Sequence, residues 1–196
     1  MKNQEEKCFR DGKEIAMKKL KKAVTQDMVD EKIIPLLDII NQSEKFYTSS
    51  SCAGRILLLQ IPEIGDKKNA KFLGKWHRII EPQELLSTVE KAEKGQLWLL
   101  AQSPIIHITA KTSLDAEKML KTAISCGFKN SNLKSIGKKI VLEICSTERL
   151  DAPIGKDAIL FCNDEHLNLL IDISNDVVEK SNLKLAKLQK ELKKKI

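Results

Sequence analysis

Phe46-Tyr47-Thr48-Ser49-Ser50-Ser51-Cys52-Ala53-Gly54-Arg55-Ile56-Leu57-Leu58-Leu59 is the stretch on which the reading of this chain turns. Aromatic and β-branched residues open it as a strand would, a run of small hydroxyl and thiol side chains follows, and Gly54 bends the backbone. An apolar run then resumes at Ile56. The pattern predicts a hairpin, Phe46–Ser50 against Arg55–Ile61, closed around Cys52-Ala53-Gly54. Two readings of the corner stand side by side. Serine and glycine dominate turns without any function; equally, Arg55 brings a fixed fork suited to carboxylate or phosphate, and turn amides with serine hydroxyls can add an anion nest.

N-terminal to this stretch the period is helical. Ile15, Ala16, Leu20, Ala23 and Val24 recur among Lys18, Lys19, Lys21 and Lys22, which predicts an amphipathic helix. A second helix is expected after Val29-Asp30, with Pro35 in its first turns, where a missing N–H costs little. On the C-terminal side the pattern predicts a strand over Phe72–Ile79 and a short helix over Gln83–Glu93, opened by Glu81-Pro82 and stopped by Gly95. Strands follow at Gln96–Ala101 and Ile105–Ala110, then a helix capped by Ser113 and ended by Gly127, and a strand pair, Asn130–Ile136 with Lys139–Cys145. Leu150–Lys156 reads as a loop. From Asn163 or Asp164 a long terminal helix carries Leu167, Ile171, Val178, Leu185, Leu188 and Leu192, lying across a sheet with its basic tail in solvent. This order implies the α/β (α+β) class, a mixed sheet with helices packed on it. One domain over residues 1–196 is the expectation for this length.

Composition narrows the function classes. The chain is 42% apolar and 31% charged with a net charge of +7. Residues 1–22 carry +4 and residues 180–196 carry +6, leaving −3 for the middle. Basic ends on a near-neutral body suit an electrostatic grip on RNA, although lysines at helix ends are also simply solvated. The five cysteines are scattered, with no Cys-x-x-Cys pair, so no zinc or other metal site is expected and a reducing cytoplasm is. No apolar run is long enough to span a bilayer. The isolated glycines spell neither Gly-x-Gly-x-x-Gly nor a Walker loop, and no Gly-x-Ser-x-Gly elbow occurs. His77 follows Trp76, which sets a titratable ring beside a stacking surface. His107 is a lone polar group in the apolar strand Ile105-Ile106-His107-Ile108. Cys52 could serve as a nucleophile, but nothing in the sequence supplies an activating base.

Ser49-Ser50-Ser51-Cys52-Ala53-Gly54-Arg55-Ile56, Lys75-Trp76-His77 and Ile105-Ile106-His107-Ile108 together resemble the tRNA wybutosine-synthesising protein 3 family in its archaeal form. Gly127-Phe128-Lys129-Asn130-Ser131 and Ser146-Thr147-Glu148-Arg149-Leu150-Asp151-Ala152-Pro153 extend the resemblance in consistent order, from about residue 20 to residue 180. Ala53 departs from it, standing where many relatives have serine, so a hydroxyl contact there is lost.

The resemblance implies a non-Rossmann methyltransferase that uses S-adenosylmethionine. Its acceptor would be N4 of the tricyclic wyosine-type base beside the anticodon of phenylalanine tRNA, with the anticodon stem-loop as partner. It assigns Ser49, Ser50, Ser51, Cys52, Gly54 and Arg55 to the donor pocket, with Arg55 facing the donor carboxylate or an RNA phosphate. Trp76 would stack on a flat ring, and either His77 or His107 would take the acceptor's proton or orientation alone would suffice without a base. A non-catalytic RNA-binding module is the alternative. Neither reading specifies an oligomeric state.

Overall fold

A computed structural model describes residues 2–195. Its elements are α1 (Lys2–Thr25), a 3-10 turn (Glu31–Ile33), α2 (Ile34–Gln42), β1 (Phe46–Cys52), β2 (Arg55–Ile61), β3 (Lys71–Trp76) and α3 (Pro82–Val89). They continue with β4 (Gln96–Gln102), β5 (Ile105–Ala110), α4 (Ser113–Ser125), β6 (Asn132–Ser135), β7 (Ile140–Cys145), β8 (Arg149–Lys156), β9 (Ile159–Leu160) and α5 (Asp164–Lys195). The α+β class and the long C-terminal helix are as expected. The strands form two sheets, a four-stranded one in the order β1-β5-β7-β6 and a five-stranded one in the order β3-β2-β4-β8-β9. All their pairings are antiparallel, so no parallel crossover of the Rossmann kind is built among the described residues. No helix among the described residues is long and apolar enough to cross a membrane.

The hairpin does not form. β1 pairs with β5 and β2 pairs with β3 and β4, so the Cys52–Arg55 bend carries the chain from one sheet to the other. Gly54 has φ +94°, a conformation that favours glycine. Contacts divide the chain into two compact units: residues up to Ala53 with Pro104–Thr147 and from Asn182 onward, and Gly54–Ser103 with Glu148–Ser181. Two strands separated by a glycine bend look alike in sequence whether they pair with each other or with other strands, because register is set by partners far along the chain.

In the first unit, Ile106, Ile108, Leu142 and Ile144 share a buried core with Ile33 of the 3-10 turn, Leu37 and Ile40 of α2, Met119 and Ala123 of α4, and Leu188 and Leu192 of α5. The terminal helix is therefore anchored through Leu188 and Leu192 into its last turns, while Lys190, Lys193, Lys194 and Lys195 are exposed. Lys195 also donates to Thr122 Oγ1 at 3.2 Å. Tyr47 faces the other way, with its ring 5.2 Å from that of Phe9 in α1. In the second unit, Ile56, Leu58, Leu97 and Leu99 pack under Leu85 and Val89 of α3 and Leu167, Ile171 and Val178 of α5.

The segment expected as a loop, Leu150–Lys156, lies within β8. Its Pro153 sits at a register shift opposite Leu97 and Trp98, and the short β9 pairs only with Gly155 and Lys156. Proline survives in a sheet at such bulged, edge-like positions. The α4 cap is Thr112, whose Oγ1 accepts from the Asp115 amide at 3.1 Å; Ser113 is the first helical residue.

α3 opens with a capping box. Glu84 accepts from the Glu81 amide at 3.0 Å and from Arg78 Nη2 at 2.6 Å. The Arg78 hydrogen bond, then the Glu81 amide, pull the Glu84 carboxyl from 4.5 to about 2. A depressed carboxyl stabilises the fold fully above its unfolded value and loses that contribution as pH falls. Acid titration followed by circular dichroism is expected to show this loss between pH 4.5 and about 2, and Glu84→Gln is expected to remove that part of the pH dependence.

Candidate functional site

In the first unit the site begins with an irregularity in β1. Thr48 pairs with Ile108, but Ser50, not Ser49, pairs with His107. Ser49 is thus the extra residue of a β-bulge, which turns Ser50 onto the His107 row. Ser50 Oγ lies 2.8 Å from His107 Nδ1, and His107 Nε2 lies 3.1 Å from Glu143 Oε2 on β7. Lys134 Nζ on β6 reaches the other Glu143 oxygen at 2.8 Å. Burial alone would raise the Glu143 carboxyl, but the Lys134 hydrogen bond and charge, with help from His107 and Asn132, hold it below its ordinary value. Glu143 can only accept, so Nε2 carries the proton toward it, and in the neutral imidazole Nδ1 is then the nitrogen that accepts the Ser50 hydroxyl proton.

In the second unit Arg55 and Gln102 are opposite one another across β2 and β4. Arg55 Nε donates to Gln102 Oε1 at 3.1 Å. Among the described residues no hydrogen bond uses the two terminal guanidinium nitrogens. His77 lies just beyond β3, and its Nδ1 is 3.1 Å from the Gly54 carbonyl. A carbonyl can only accept, so Nδ1 is the donor in that contact. Trp76 pairs with Ile56 and is half-buried against the helix-covered core. Its indole lies directly over Gly74, where any side chain would collide with it.

The expected site residues therefore fall into two sets. In the first unit Ser50 joins His107, while Ser49, Ser51 and Cys52 continue along the same strand. In the second, Gly54 and His77 touch, and Arg55 is held by Gln102. Trp76 points to the sheet face opposite Arg55, since Ile56 next to Arg55 is a core residue. Its first role is packing. Sequence reading missed Glu143, Lys134 and Gln102, all of which owe their importance to strand register. Alternation around His107 and Glu143, each a lone polar residue in an apolar strand, was the one available signal.

Charge separates cleanly between the units. Of 34 Lys and Arg residues the first unit holds 23 against 13 acidic residues, a net +10; the second holds 11 against 14, a net −3. A groove of about 420 Å³ in the first unit has Phe46, Met119 and Leu192 among its lining, with Lys45, Lys118, Lys121 and Lys195 also along it. A second concavity there includes Lys7, Arg10, Lys13 and Lys111.

Comparison with known proteins adds four findings. The model of the family described as Methyltransferase TYW3 matches residues 11–194. The chain is 46% identical over 185 residues to tRNA(Phe) 7-((3-amino-3-carboxypropyl)-4-demethylwyosine(37)-N(4))-methyltransferase 1 of Pyrococcus horikoshii, covering 94% of both chains. It is 37% identical to the methyltransferase of the same description from Methanocaldococcus jannaschii, covering 88% of this chain and 91% of that one. A solved structure of a Pyrococcus horikoshii protein superposes with a TM-score of 0.93 at 45% identity, covering 96% of this chain and 98% of the other.

Proposed function

The chain belongs to the TYW3 methyltransferase family, and on that premise we propose that it methylates N4 of a demethylwyosine-type base in phenylalanine tRNA with S-adenosylmethionine as donor. The observation that carries this reading is the relative named for that reaction, which is similar along 94% of both chains. Each compact unit is assembled from separated pieces of sequence, so we treat the whole chain as one enzyme.

Bound S-adenosylmethionine supplies an electrophilic methyl on a sulfonium, and its amino-acid tail presents a carboxylate. Arg55 fits that carboxylate. Its Nε is fixed by Gln102, which leaves the two terminal nitrogens for a ligand and orients the fork before the ligand arrives. Gly54 keeps His77 in one tautomer. The first unit, with its net +10, holds the RNA through phosphate contacts. Displacement at a methyl group makes little demand on protein chemistry beyond alignment, so most of the acceleration comes from orientation.

Incubating the purified chain with S-adenosylmethionine and phenylalanine tRNA bearing the unmethylated tricyclic base is expected to yield a nucleoside heavier by one methyl group in mass spectrometry. Saturable donor uptake in calorimetry without RNA is the companion result. RNA binding with neither donor uptake nor methyl transfer would establish the non-catalytic alternative instead.

A further inference from the structure

The row Ser50–His107–Glu143–Lys134 crosses all four strands of the first unit's sheet, and nothing about phosphate binding explains it. Three features mark it as built. A bulge at Ser49 is needed to bring Ser50 into it. Its acidic member is only 14% exposed yet anchored through both oxygens. Its outer end, Ser50, is exposed and lines a cavity of about 220 Å³, whose walls include Ala16, Leu20 and Ala23 of α1 together with Val29. That volume equals on the order of seven waters, and the apolar wall faces a hydroxyl edge of Thr48, Ser49, Ser50 and Ser51 with Lys19 beside it, a combination that suits a flat heterocycle with polar edges.

We propose that this row is a proton relay for the acceptor base, with Ser50 as the residue that touches it. The inference rests on the methyltransferase reading above. The acceptor ring enters the cavity with its N–H directed at Ser50 Oγ. As the nitrogen forms its bond to the methyl carbon, the sulfonium bond breaks and its electron pair stays on sulfur. The ring proton passes to Ser50 Oγ, and the Ser50 proton passes to His107 Nδ1. The imidazolium so formed lies against the Glu143 carboxylate, while Lys134 keeps that carboxylate ionised. Ser50 is the catalytic residue; His107 receives the proton; Glu143 and Lys134 are positioning residues, acting as the acid member does in a serine–histidine–acid array. Glu143 of β7 faces His107 and Lys134 of β6 faces Glu143, while Lys19 of α1 lines the cavity with Ser50.

The test is single-turnover methylation of the same tRNA by the full chain, read across pH 5.5 to 9 in roughly half-unit steps, with RNA affinity measured by filter binding. Ser50→Ala and Glu143→Gln are each expected to slow transfer about a hundredfold while RNA affinity stays within about twofold. Ser50→Thr, which keeps the hydroxyl, is expected to restore most of the rate. Glu143→Gln is also expected to move the low-pH limb of the rate profile to lower pH, because the imidazolium loses its counter-charge. Because Ser50 is exposed, Ser50→Ala remains decisive even where Glu143→Gln does not fold. Wild-type rates in both variants at all pH values would overturn the relay, as would rate and RNA affinity falling in parallel, which would mark the row as a binding element. A wild-type chain that transfers no methyl group would fail the methyltransferase reading itself, and the relay with it.

Discussion

Replacing Lys45, Lys118 and Lys121 together by glutamate is expected to weaken phenylalanine tRNA binding about a thousandfold at low salt and to reduce the salt slope of log K by roughly two to three. These lysines line one groove of the first unit, and all three are exposed. Lys121 is paired with Glu117 at 2.5 Å, but both side chains are more than half exposed, so that pair does not bind the lysine strongly enough to keep it from a phosphate. Reversing three charges removes three counterion-release contributions and adds repulsion, and both effects shrink as salt rises. The mutant and wild-type curves are therefore expected to converge at high salt. Donor binding measured without RNA is expected to stay unchanged. Reversing Lys67, Lys68 and Lys94 in the acidic second unit is the matched control, with an expected change of a few-fold at most. Equal losses from both triples would show that net charge, not this groove, governs binding. Shortening the terminal helix would be a poorer experiment, since it removes Leu188 and Leu192 from the core along with the lysines.

The split in charge explains what the sequence made legible and what it hid. The basic character of both chain ends was plain, and both ends belong to the same unit. The helices were legible because each buries a stripe that repeats at helical spacing. Strand existence was legible too, from Phe46, from the run Ile56–Leu59 and from Ile105–Ile108. Partnership was not. The bend at Gly54 looked like a hairpin because nothing local distinguishes a turn between paired strands from a passage between sheets. β8 was hidden by Pro153, which a bulge makes acceptable. The site suffered the same loss. Ser50, His107 and Arg55 stood out by chemistry, whereas Glu143, Lys134 and Gln102 acquire meaning only through cross-strand register. The bulge at Ser49 has no sequence signature at all, and without it Ser50 would face the core side along with Thr48. The resemblance to a family supplied the identity of the reaction, but it could not say which neighbours hold each functional group in place.

Arg55→Ala is expected to lower S-adenosylmethionine affinity about a hundredfold, close to 2.7 kcal/mol. Two charge-assisted hydrogen bonds to a carboxylate are lost, and bonds to charged groups contribute about 1.5–3 kcal/mol each before the carboxylate recovers water. Arg55→Lys keeps the charge but not the planar fork, and the lysine head has no fixed orientation toward Gln102, so an intermediate loss near tenfold is expected. Gln102→Ala tests the same idea from the other side. It removes the Nε partner at 3.1 Å and leaves the guanidinium charged but free to rotate, so affinity is expected to fall about threefold, since only pre-ordering is lost. The ranking Ala, then Lys, then Gln102→Ala in order of damage is the signature of an oriented fork. Calorimetry with the donor alone, paired with filter binding of tRNA alone, separates the two anions that Arg55 could serve. If Arg55→Ala leaves donor affinity intact and weakens tRNA binding with a salt slope reduced by about one, Arg55 holds a phosphate. Loss of donor affinity with an unchanged RNA slope assigns it to the carboxylate. Circular dichroism should match wild type in all three variants, because Arg55 is only half-buried and both residues belong to the sheet face opposite the core residues Ile56 and Ala101.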